Sequence, residues 1–172
     1  MLYNLASRES HPEDISKQAY IIGDDDFVLT SSNVLCFLQS LSGDYPDIDS
    51  WFLNTVIPGL SDGSRKIFAH VRQNEIISLA IAKKSSDEKK ICTVRVSPEF
   101  NGIGLGVKLF KLSMDWLETS TPHLTVSEDN YPKFERIFKH FGYRLTSTHN
   151  SLYQEGKVEL LFNQSNSLMN RY

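Results

Sequence analysis

Three glycines alternate with apolar residues where a β-like run passes into a helix-like run, at Gly102, Gly104 and Gly106. The first N–H groups of a helix lack helical partners, and with the positive end of the helix dipole they favour a bound anion. Glycines have no Cβ, so they let the backbone approach such a ligand closely. We expect the apolar Ile103 and Leu105 to anchor the loop in the core. The stretch predicts a phosphate-binding turn, with a tight turn built only for packing as the alternative.

The spacing distinguishes this turn from two other phosphate-binding motifs. The dinucleotide motif G-x-G-x-x-G would need glycine at position 107 or 109, where Val107 and Leu109 stand. A P-loop would need Gly-Lys-Ser or Gly-Lys-Thr after the turn, and neither follows. A phosphate bound here would therefore belong to another kind of site.

The turn must be held by the elements around it, and hydrophobic periodicity predicts one mixed α/β (α+β) domain. The predicted order is β-α-α-β-β-β-α-β-α-β-β, over residues 18–23, 31–43, 47–59, 65–73, 75–84, 89–97, 102–118, 123–127, 131–142, 143–149 and 157–163. Pro58 and Gly59 are predicted to end the second helix, and Gly142 to cap the last one. The last two strands are predicted to form a hairpin.

The composition is typical of a globular domain, with 172 residues, 40% apolar residues, 23% charged residues and a net charge of −3. The acidic balance argues weakly against a nucleic-acid partner. We expect a polar segment over 1–17, a domain over 18–163 and a flexible tail over 164–172. The N-terminus has no apolar signal-peptide core, and no apolar run approaches the ~18 residues of a membrane helix. These features predict a soluble, cytoplasmic protein.

The cysteines and histidines suggest packing and no metal site. Cys36 and Cys92 lack metal-ligand spacing and lie in apolar segments, so both are expected to be buried thiols. His70 alternates with apolar residues and is expected to be a core or edge histidine. His123 opens a strand, and His140 lies among charged residues on a helix face.

The stretch VRVSPEFNGIGLGVKLFKLSMDWL, residues 94–117, closely resembles motif A of the GCN5-related N-acetyltransferase (GNAT) superfamily. In that family a strand ending V-x-P is followed by an aromatic residue and then [RQ]-x-x-G-x-[GA]. The matching residues here are Val96, Pro98, Phe100 and Asn101-Gly102-Ile103-Gly104-Leu105-Gly106. The order of elements is similar to the family's as well, and the resemblance covers roughly residues 18–163.

The resemblance implies acetyl-CoA, or another acyl-CoA, as the acyl donor, with no metal. The pyrophosphate would sit on the amides of the turn, and the pantetheine arm would pair like a strand with the end of the preceding strand. The implied cofactor-binding residues are Val94, Val96, Asn101, Gly102, Ile103, Gly104, Leu105, Gly106 and Val107. Asn101 stands where the family prefers Arg or Gln, so we expect a weaker pyrophosphate contact, for which the nearby Lys108 could compensate.

Acyl transfer usually needs a proton for the leaving thiolate. The family commonly takes it from a Tyr four residues before the Gly that precedes the sixth strand, and that position is Phe138 here. We interpret Phe138 as a core residue. The hydroxyls that could replace the family's Tyr are those of Ser127, Tyr131, Tyr143 and Tyr153. Ser127 and Tyr131 lie nearest the expected centre, although a strand end and a helix N-terminus also explain them.

The amine must also lose a proton, and the carboxylates that follow the predicted strand 123–127 are candidate bases. Glu128 and Asp129 could draw the proton through water, although both also suit the dipole of the following helix. The thiolate could instead leave without a positioned acid, since a thiol pKa is near ~8.5.

The resemblance implies an acceptor site opposite the cofactor, walled by the early helices and the last hairpin. Acidic and aromatic residues in these walls suit a cationic amine, with solvated loops as the alternative; they are Asp44, Tyr45, Asp47, Asp49, Trp51, Tyr153 and Glu155. The predicted function is N-acyl transfer from acetyl-CoA to a primary amine in a ternary complex, with a homodimer as one arrangement. The alternatives are an acyl-CoA-binding regulatory module, an aminoacyl-tRNA-acetylating toxin-like protein and an unrelated domain with a packing turn.

Overall fold

The computed structural model of the chain describes residues 13–40, 43 and 45–165. Most of the predicted N-terminal segment and tail, the end of the first predicted helix at 41–42, and Asp44 lie outside the described residues. Within the described ranges the helices are α1 (Ser31–Gln39), α2 (Ile48–Trp51), α3 (Ile57–Ser61), α4 (Leu105–Leu117) and α5 (Tyr131–Phe141). The strands are β1 (Ala19–Ile22), β2 (Arg65–Arg72), β3 (Glu75–Lys84), β4 (Lys89–Val96), β5 (Leu124–Ser127), β6 (Leu145–Asn150) and β7 (Val158–Phe162). The predicted order and the mixed α/β class are confirmed.

The strands form two sheets that, among the described residues, are joined by backbone hydrogen bonds at one point. The first has the order β1-β2-β3-β4, with β1 parallel to β2 and the other pairs antiparallel, and the second has the order β5-β7-β6. A single parallel bridge joins β4 to the residue before β5, between Lys90 and His123. The Ile91 N–H donates to the His123 carbonyl at 3.0 Å, and the His123 N–H donates to the Lys89 carbonyl at 2.8 Å. The two parallel strands diverge beyond this bridge.

Each face of the first sheet carries a separate apolar core, because successive side chains of a strand point to opposite faces. Ile67 and Leu79 pack on one face with α1 to α3, where Phe52 is fully buried. Phe68 and Ala80 pack on the other face with α4, α5 and the second sheet. The second core therefore fixes α4 and α5 relative to β4 and β5.

The predicted end of the second helix at Pro58 and Gly59 is wrong. A π-helical turn over Phe52–Val56 joins α2 to α3, and the helical path continues to Ser61. In this turn the Ile57 N–H donates to the Phe52 carbonyl, so Pro58, which has no N–H, falls in the first turn of α3, where a proline is tolerated.

The expectation of a buried thiol is wrong for Cys36. Cys36 is exposed and Cys92 is partly exposed. On α1 the buried side chains are Val34 and Leu38, and Cys36 lies half a turn from each of them, on the solvent face.

Residues at both predicted domain boundaries pack on the domain. Ile15 is 3% exposed and its N–H donates to the Leu29 carbonyl at 2.9 Å. Gln164 is buried, and its side chain accepts from the Ser147 hydroxyl. The boundaries at residues 17 and 163 remain predictions.

Two buried histidines lie in these layers. His70 Nδ1 lies 2.7 Å from the Ser78 hydroxyl, and His123 Nδ1 donates to the Phe162 carbonyl at 3.1 Å. Burial lowers the pKa of His70, and the charge of Lys108 lowers it further. Burial is also the main cause that lowers the pKa of His123. Burial therefore favours the neutral form of both side chains.

The buried histidines should make the fold sensitive to acid. Below their ordinary pKa of about 6.5, the unfolded chain binds more protons than the folded one, so the free energy of unfolding falls as pH drops and is unaffected above that pH. The double variant His70→Asn/His123→Asn should show a smaller loss of stability between pH 7 and pH 5, measured by urea unfolding. His140→Asn, at an exposed position, is the control. An unchanged slope in the double variant would contradict this explanation.

Candidate active site

A cleft of about 750 Å³ opens where β4 and β5 diverge. Its walls are β4, the turn between β4 and α4, β5 and one face of α5. The volume is in the range of small-molecule sites. β4 pairs with β3 along one edge, while its other edge, beyond the bridge at Lys90, faces the cleft.

The glycine turn forms one end of this cleft. Gly102 and Gly104 have positive φ angles of 82° and 88°, which glycine adopts without the strain that a Cβ would bring. Gly104 is the N-cap of α4, and no side chain caps this helix end. The first N–H groups of α4 therefore remain available to a ligand in the cleft, with the positive end of the helix dipole behind them.

Gly106 has a different role in the turn. A Cβ at this position would lie 3.0 Å from Ile137 Cδ1 of α5. The missing side chain lets the start of α4 approach α5 closely, so that α5 forms the wall beside the turn.

The structure brings most of the predicted cofactor-binding residues together. Those that line the cleft are Val94, Val96, Asn101, Gly102, Gly104, Leu105, Gly106 and Val107. Ile103 does not line it and is 62% exposed, so the expectation that Ile103 anchors the loop in the core is wrong. The left-handed glycines on either side turn it outward, whereas Leu105, in α4, is buried.

The predicted catalytic residues lie just beyond the described cleft wall. Ser127 ends β5 and is 4% exposed, and within the described part of the chain its Oγ has no hydrogen-bond partner. Glu128 is exposed, and its N–H donates to the Val158 carbonyl at 2.9 Å. The Tyr131 ring stacks on Phe162, with centroids 5.8 Å apart. The structure thus places them at the end of β5 and the start of α5, without contact between their functional groups.

Two polar residues of the cleft near the bridge were missed by sequence reasoning. Thr125 lines the cleft from β5, and in the ranges the structure describes its buried Oγ1 has no hydrogen-bond partner. Cys92 is the extra residue of a β-bulge, since Ile81 pairs with Thr93 and Ala82 with Ile91. Burial raises the pKa of the Cys92 thiol. The bulge depends on how β4 pairs with β3, so no sequence pattern within β4 predicts it.

Phe138 is 2% exposed, which confirms its interpretation as a core residue, and it also lines the cleft. Its ring lies 4.7 Å from that of Phe162 and 5.1 Å from that of Tyr143, centroid to centroid. The Tyr143 hydroxyl is buried in this aromatic cluster, and burial raises its pKa. The cleft therefore has no phenol at position 138, and the neighbouring phenol stays protonated.

The charged side chains that line the cleft are all basic. They are Arg95, Lys133 and Arg136, and no carboxylate is among the described lining residues. Lys108, which the sequence suggested as a compensating charge, does not line the cleft. Lys133 and Arg136 were missed because only the packing of α5 against α4 brings them to the turn.

Two predicted acceptor walls meet at the opposite end of the cleft. Tyr45, before α2, and Tyr153, between β6 and β7, have ring centroids 6.2 Å apart in an edge-to-face arrangement. The Lys90 ammonium donates to the Tyr153 hydroxyl at 3.3 Å. Arg65 donates to Cys92 Sγ at 3.2 Å and lies 5.9 Å from the centroid of the Trp51 ring. Of these residues Tyr45 and Cys92 line the cleft, and the other aromatic and basic side chains lie behind them.

The described residues contain neither a cluster of metal-ligating side chains nor a helix that could span a membrane. No cluster of three or more His, Cys, Asp or Glu side chains suited to a metal ion occurs there. In the same part of the chain, no helix has the length and apolar character needed to cross a membrane.

Comparison with known proteins identifies the family. The family model of the acetyltransferase (GNAT) domain matches residues 52–158, a span that includes β4, the glycine turn, α4 and α5. The chain belongs to the GNAT acetyltransferase family. No curated protein matches the sequence at a significant level.

Solved structures share the fold at low sequence identity. PaiA N-acetyltransferase from Thermoplasma acidophilum, solved with coenzyme A, has a TM-score of 0.57 and 13% identity over 88% of this chain and 95% of its own. Nourseothricin acetyltransferase has a TM-score of 0.53 and 19% identity over 59% of this chain. A Bacillus anthracis protein described as a streptothricin acetyltransferase, solved with acetyl coenzyme A, has a TM-score of 0.51 and 16% identity over 58% of this chain. The alignments span 65% and 62% of the last two proteins.

The Thr125 hydroxyl should lower the free energy of unfolding, because a buried polar atom without a hydrogen-bond partner has lost its hydration and gained nothing in exchange. Thr125→Val keeps the shape of the side chain and should raise the free energy of unfolding by about 1 kcal/mol. The control is Thr146→Val, whose hydroxyl donates to the Leu161 carbonyl at 2.9 Å and whose loss should destabilise by about 1 kcal/mol. Equal destabilisation by both changes in urea unfolding would contradict the explanation that the Thr125 hydroxyl is buried without a hydrogen-bond partner.

Proposed function

We propose that the protein is an acyl-CoA-dependent N-acyltransferase that transfers acetyl from acetyl-CoA to a primary amine. The observation that carries the proposal is the cleft between the diverging strands β4 and β5, closed at one end by the N-terminus of α4. The fold and the family support it, since GNAT relatives have been solved with coenzyme A or acetyl coenzyme A.

In this proposal the free edge of β4 receives the pantetheine arm of the donor. The backbone near Val94 and Val96 pairs with its amides as a neighbouring strand would. The pyrophosphate lies on the amides from Gly102 to Val107, and Asn101 adds an amide side chain without charge. The residues present suit such a ligand, because the strand edge offers backbone partners and the helix start offers unshared N–H groups.

The reaction is a direct attack in a ternary complex. The amine nitrogen attacks the thioester carbon and the C–S bond breaks. The amine gives one proton to a base and the leaving thiolate takes one from an acid, so the overall reaction neither consumes nor releases a proton. Backbone N–H groups near the bulge at Cys92 would polarise the thioester carbonyl. The acceptor enters beside Tyr45 and Tyr153.

Ser127, Glu128 and Tyr131 remain the proposed catalytic residues. Glu128 would take the amine proton through water, and the hydroxyl of Ser127 or Tyr131 would supply the thiolate's proton. The buried Ser127 Oγ, which has no partner among the described residues, supports a role toward a ligand.

Acetyl-CoA binding is the first test, by calorimetric titration. Gly104→Glu places a carboxylate at the start of α4 and should weaken binding at least a hundredfold, because it repels the pyrophosphate and fills its approach. Gly63→Glu is the matched control. Gly63 also has a positive φ, of 79°, and like Gly104 it has nothing within 4 Å of an added Cβ, but it lies outside the cleft. Failure of the folded wild-type protein to bind would overturn the proposal.

Turnover tests the catalytic assignments. With acetyl-CoA and a panel of amines, release of the CoA thiol should fall about a hundredfold in Glu128→Gln, the typical size of general-base catalysis. Ser127→Ala and Tyr131→Phe separate the two candidate acids. Glu135→Gln is the control, since Glu135 forms an ion pair with Lys139 at 2.8 Å and does not line the cleft. Wild-type rates in all three variants would contradict the assignments.

Position 138 is Phe and has no phenol hydroxyl. This favours a second candidate function, that of an acyl-CoA-binding regulatory module. Such a module would bind acetyl-CoA without releasing thiol to any amine, so turnover separates the two. An aminoacyl-tRNA acceptor is less favoured, because the net charge is −3. A cytoplasmic location and a homodimer are part of the proposal.

A further inference from the structure

The strand β5 and the residue before it carry polar side chains on one face. His123, Thr125 and Ser127 alternate with apolar residues, so the three side chains point to the same side of the second sheet. Each has a buried polar atom without a hydrogen-bond partner in the described part of the chain, namely His123 Nε2, Thr125 Oγ1 and Ser127 Oγ. Because most buried polar groups are hydrogen-bonded, packing alone does not explain three such atoms on one strand face.

A buried acidic side chain lies directly across from the last of these residues. Ser127 of β5 pairs with Glu159 of β7, and Glu159 is 2% exposed. Directly opposite residues of an antiparallel pair have Cβ atoms about 5 Å apart, so the carboxyl group can reach the Ser127 hydroxyl. Glu128 and Asp129, which follow Ser127 in the chain, are exposed. Burying an acidic group is costly, so its place beside Ser127 indicates a chemical role.

The same line of residues continues to the outer edge of the second sheet. Glu159 pairs on its other side with His149 of β6, and β6 is the edge strand of the order β5-β7-β6. Side chains of directly paired residues lie on one face, so Ser127, Glu159 and His149 form a row across three strands. His149 is partly exposed, whereas Ser127 and Glu159 are buried. Histidine side chains exchange protons near neutral pH, so the row can join a buried hydroxyl to solvent.

The inner end of this row lies beside the cleft. Thr125 lines the cleft from β5, and Ser127 follows it on the same face, about 7 Å further along the strand. The other proposed acid, Tyr131, stacks its ring on Phe162. Phe162 and Glu159 are three residues apart in β7 and therefore project from opposite faces of the sheet. The row thus serves Ser127 and not Tyr131.

We propose that Ser127, Glu159 and His149 form a proton-transfer row, in which Ser127 protonates the leaving thiolate and the other two act through it as positioning residues. The inference rests on the proposed function and selects its acid. As the C–S bond breaks, the Ser127 O–H bond breaks and its proton passes to sulfur. Glu159 gives its carboxyl proton to the Ser127 oxygen and takes one from the His149 imidazolium, which solvent reprotonates. The amine releases one proton to solvent through its base, so the protons balance.

Steady-state kinetics of matched variants tests the row. Thiol release from acetyl-CoA is measured with the amine of the panel that the wild type acetylates fastest, and folding is checked by thermal unfolding. Glu159→Gln should lower kcat about a hundredfold, the lower end of what general acid catalysis contributes, with both KM values unchanged. Glu159→Asp keeps a carboxyl group and should recover most of that loss. His149→Asn should also lower kcat, because it removes the link to solvent.

A double variant and a control separate this role from packing. Residues that act as one unit are non-additive, so Ser127→Ala/Glu159→Gln should be no slower than Ser127→Ala alone. The control is Ser147→Ala. Ser147 lies on the same face of β6 as His149, two residues away, and its hydroxyl donates to the Gln164 side chain at 2.9 Å. This variant loses a hydrogen bond of the same sheet outside the row and should keep the wild-type kcat.

The possible failures of the row and of the proposed function differ. A wild-type kcat in Glu159→Gln would overturn the row, and so would a loss that Glu159→Asp does not recover or that adds to the loss in Ser127→Ala. Those results would leave the proposed function in place, because the wild type would still acetylate the amine. A folded wild-type protein that releases thiol to no amine would instead overturn the proposed N-acyltransferase function, and the row with it.

Discussion

The site depends on one pair of backbone hydrogen bonds, those that join β4 to the residue before β5. They hold two strands side by side at Lys90 and His123 and nowhere beyond. Because the strands run parallel and then separate, the cleft opens between them toward the glycine turn. The His123 side chain extends this junction to β7 through the Phe162 carbonyl, so the bridge is tied to the middle strand of the second sheet.

The two helices beside the cleft are positioned by the aromatic core that they share. Phe110 of α4 lies 6.2 Å from Phe138 and 5.8 Å from Phe141 of α5, centroid to centroid. Gly106 allows this packing to continue up to the first turn of α4. The same contact surface that stabilises the domain thereby sets the distance between the amides of the turn and the basic side chains of α5.

Local sequence patterns predicted well where the helices and strands occur. They predicted less well which side of a helix or turn a given residue lies on. The range 75–84 matches β3 because its apolar run has clear ends, and the glycine turn was found because its spacing is a local signal. Ile103 and Cys36 were misplaced, since an apolar neighbourhood does not say which way a residue points. Thr125, the bulge at Cys92, and the charges on α5 depend on pairing and packing between distant segments. Composition and residue spacing within one segment do not indicate such contacts.

The free edge of β4 lies at the boundary between the two sheets. The two sheets share main-chain hydrogen bonds at one bridge and are otherwise held together by side-chain packing in the second core, and local opening tends to follow boundaries that few backbone hydrogen bonds cross. A ligand whose amides pair with β4 along the cleft would also touch β5 and the start of α4, and would couple the two sheets mechanically. Donor binding would then make the unfolding of the domain more cooperative, with the cofactor serving as a structural strand as well as a reactant.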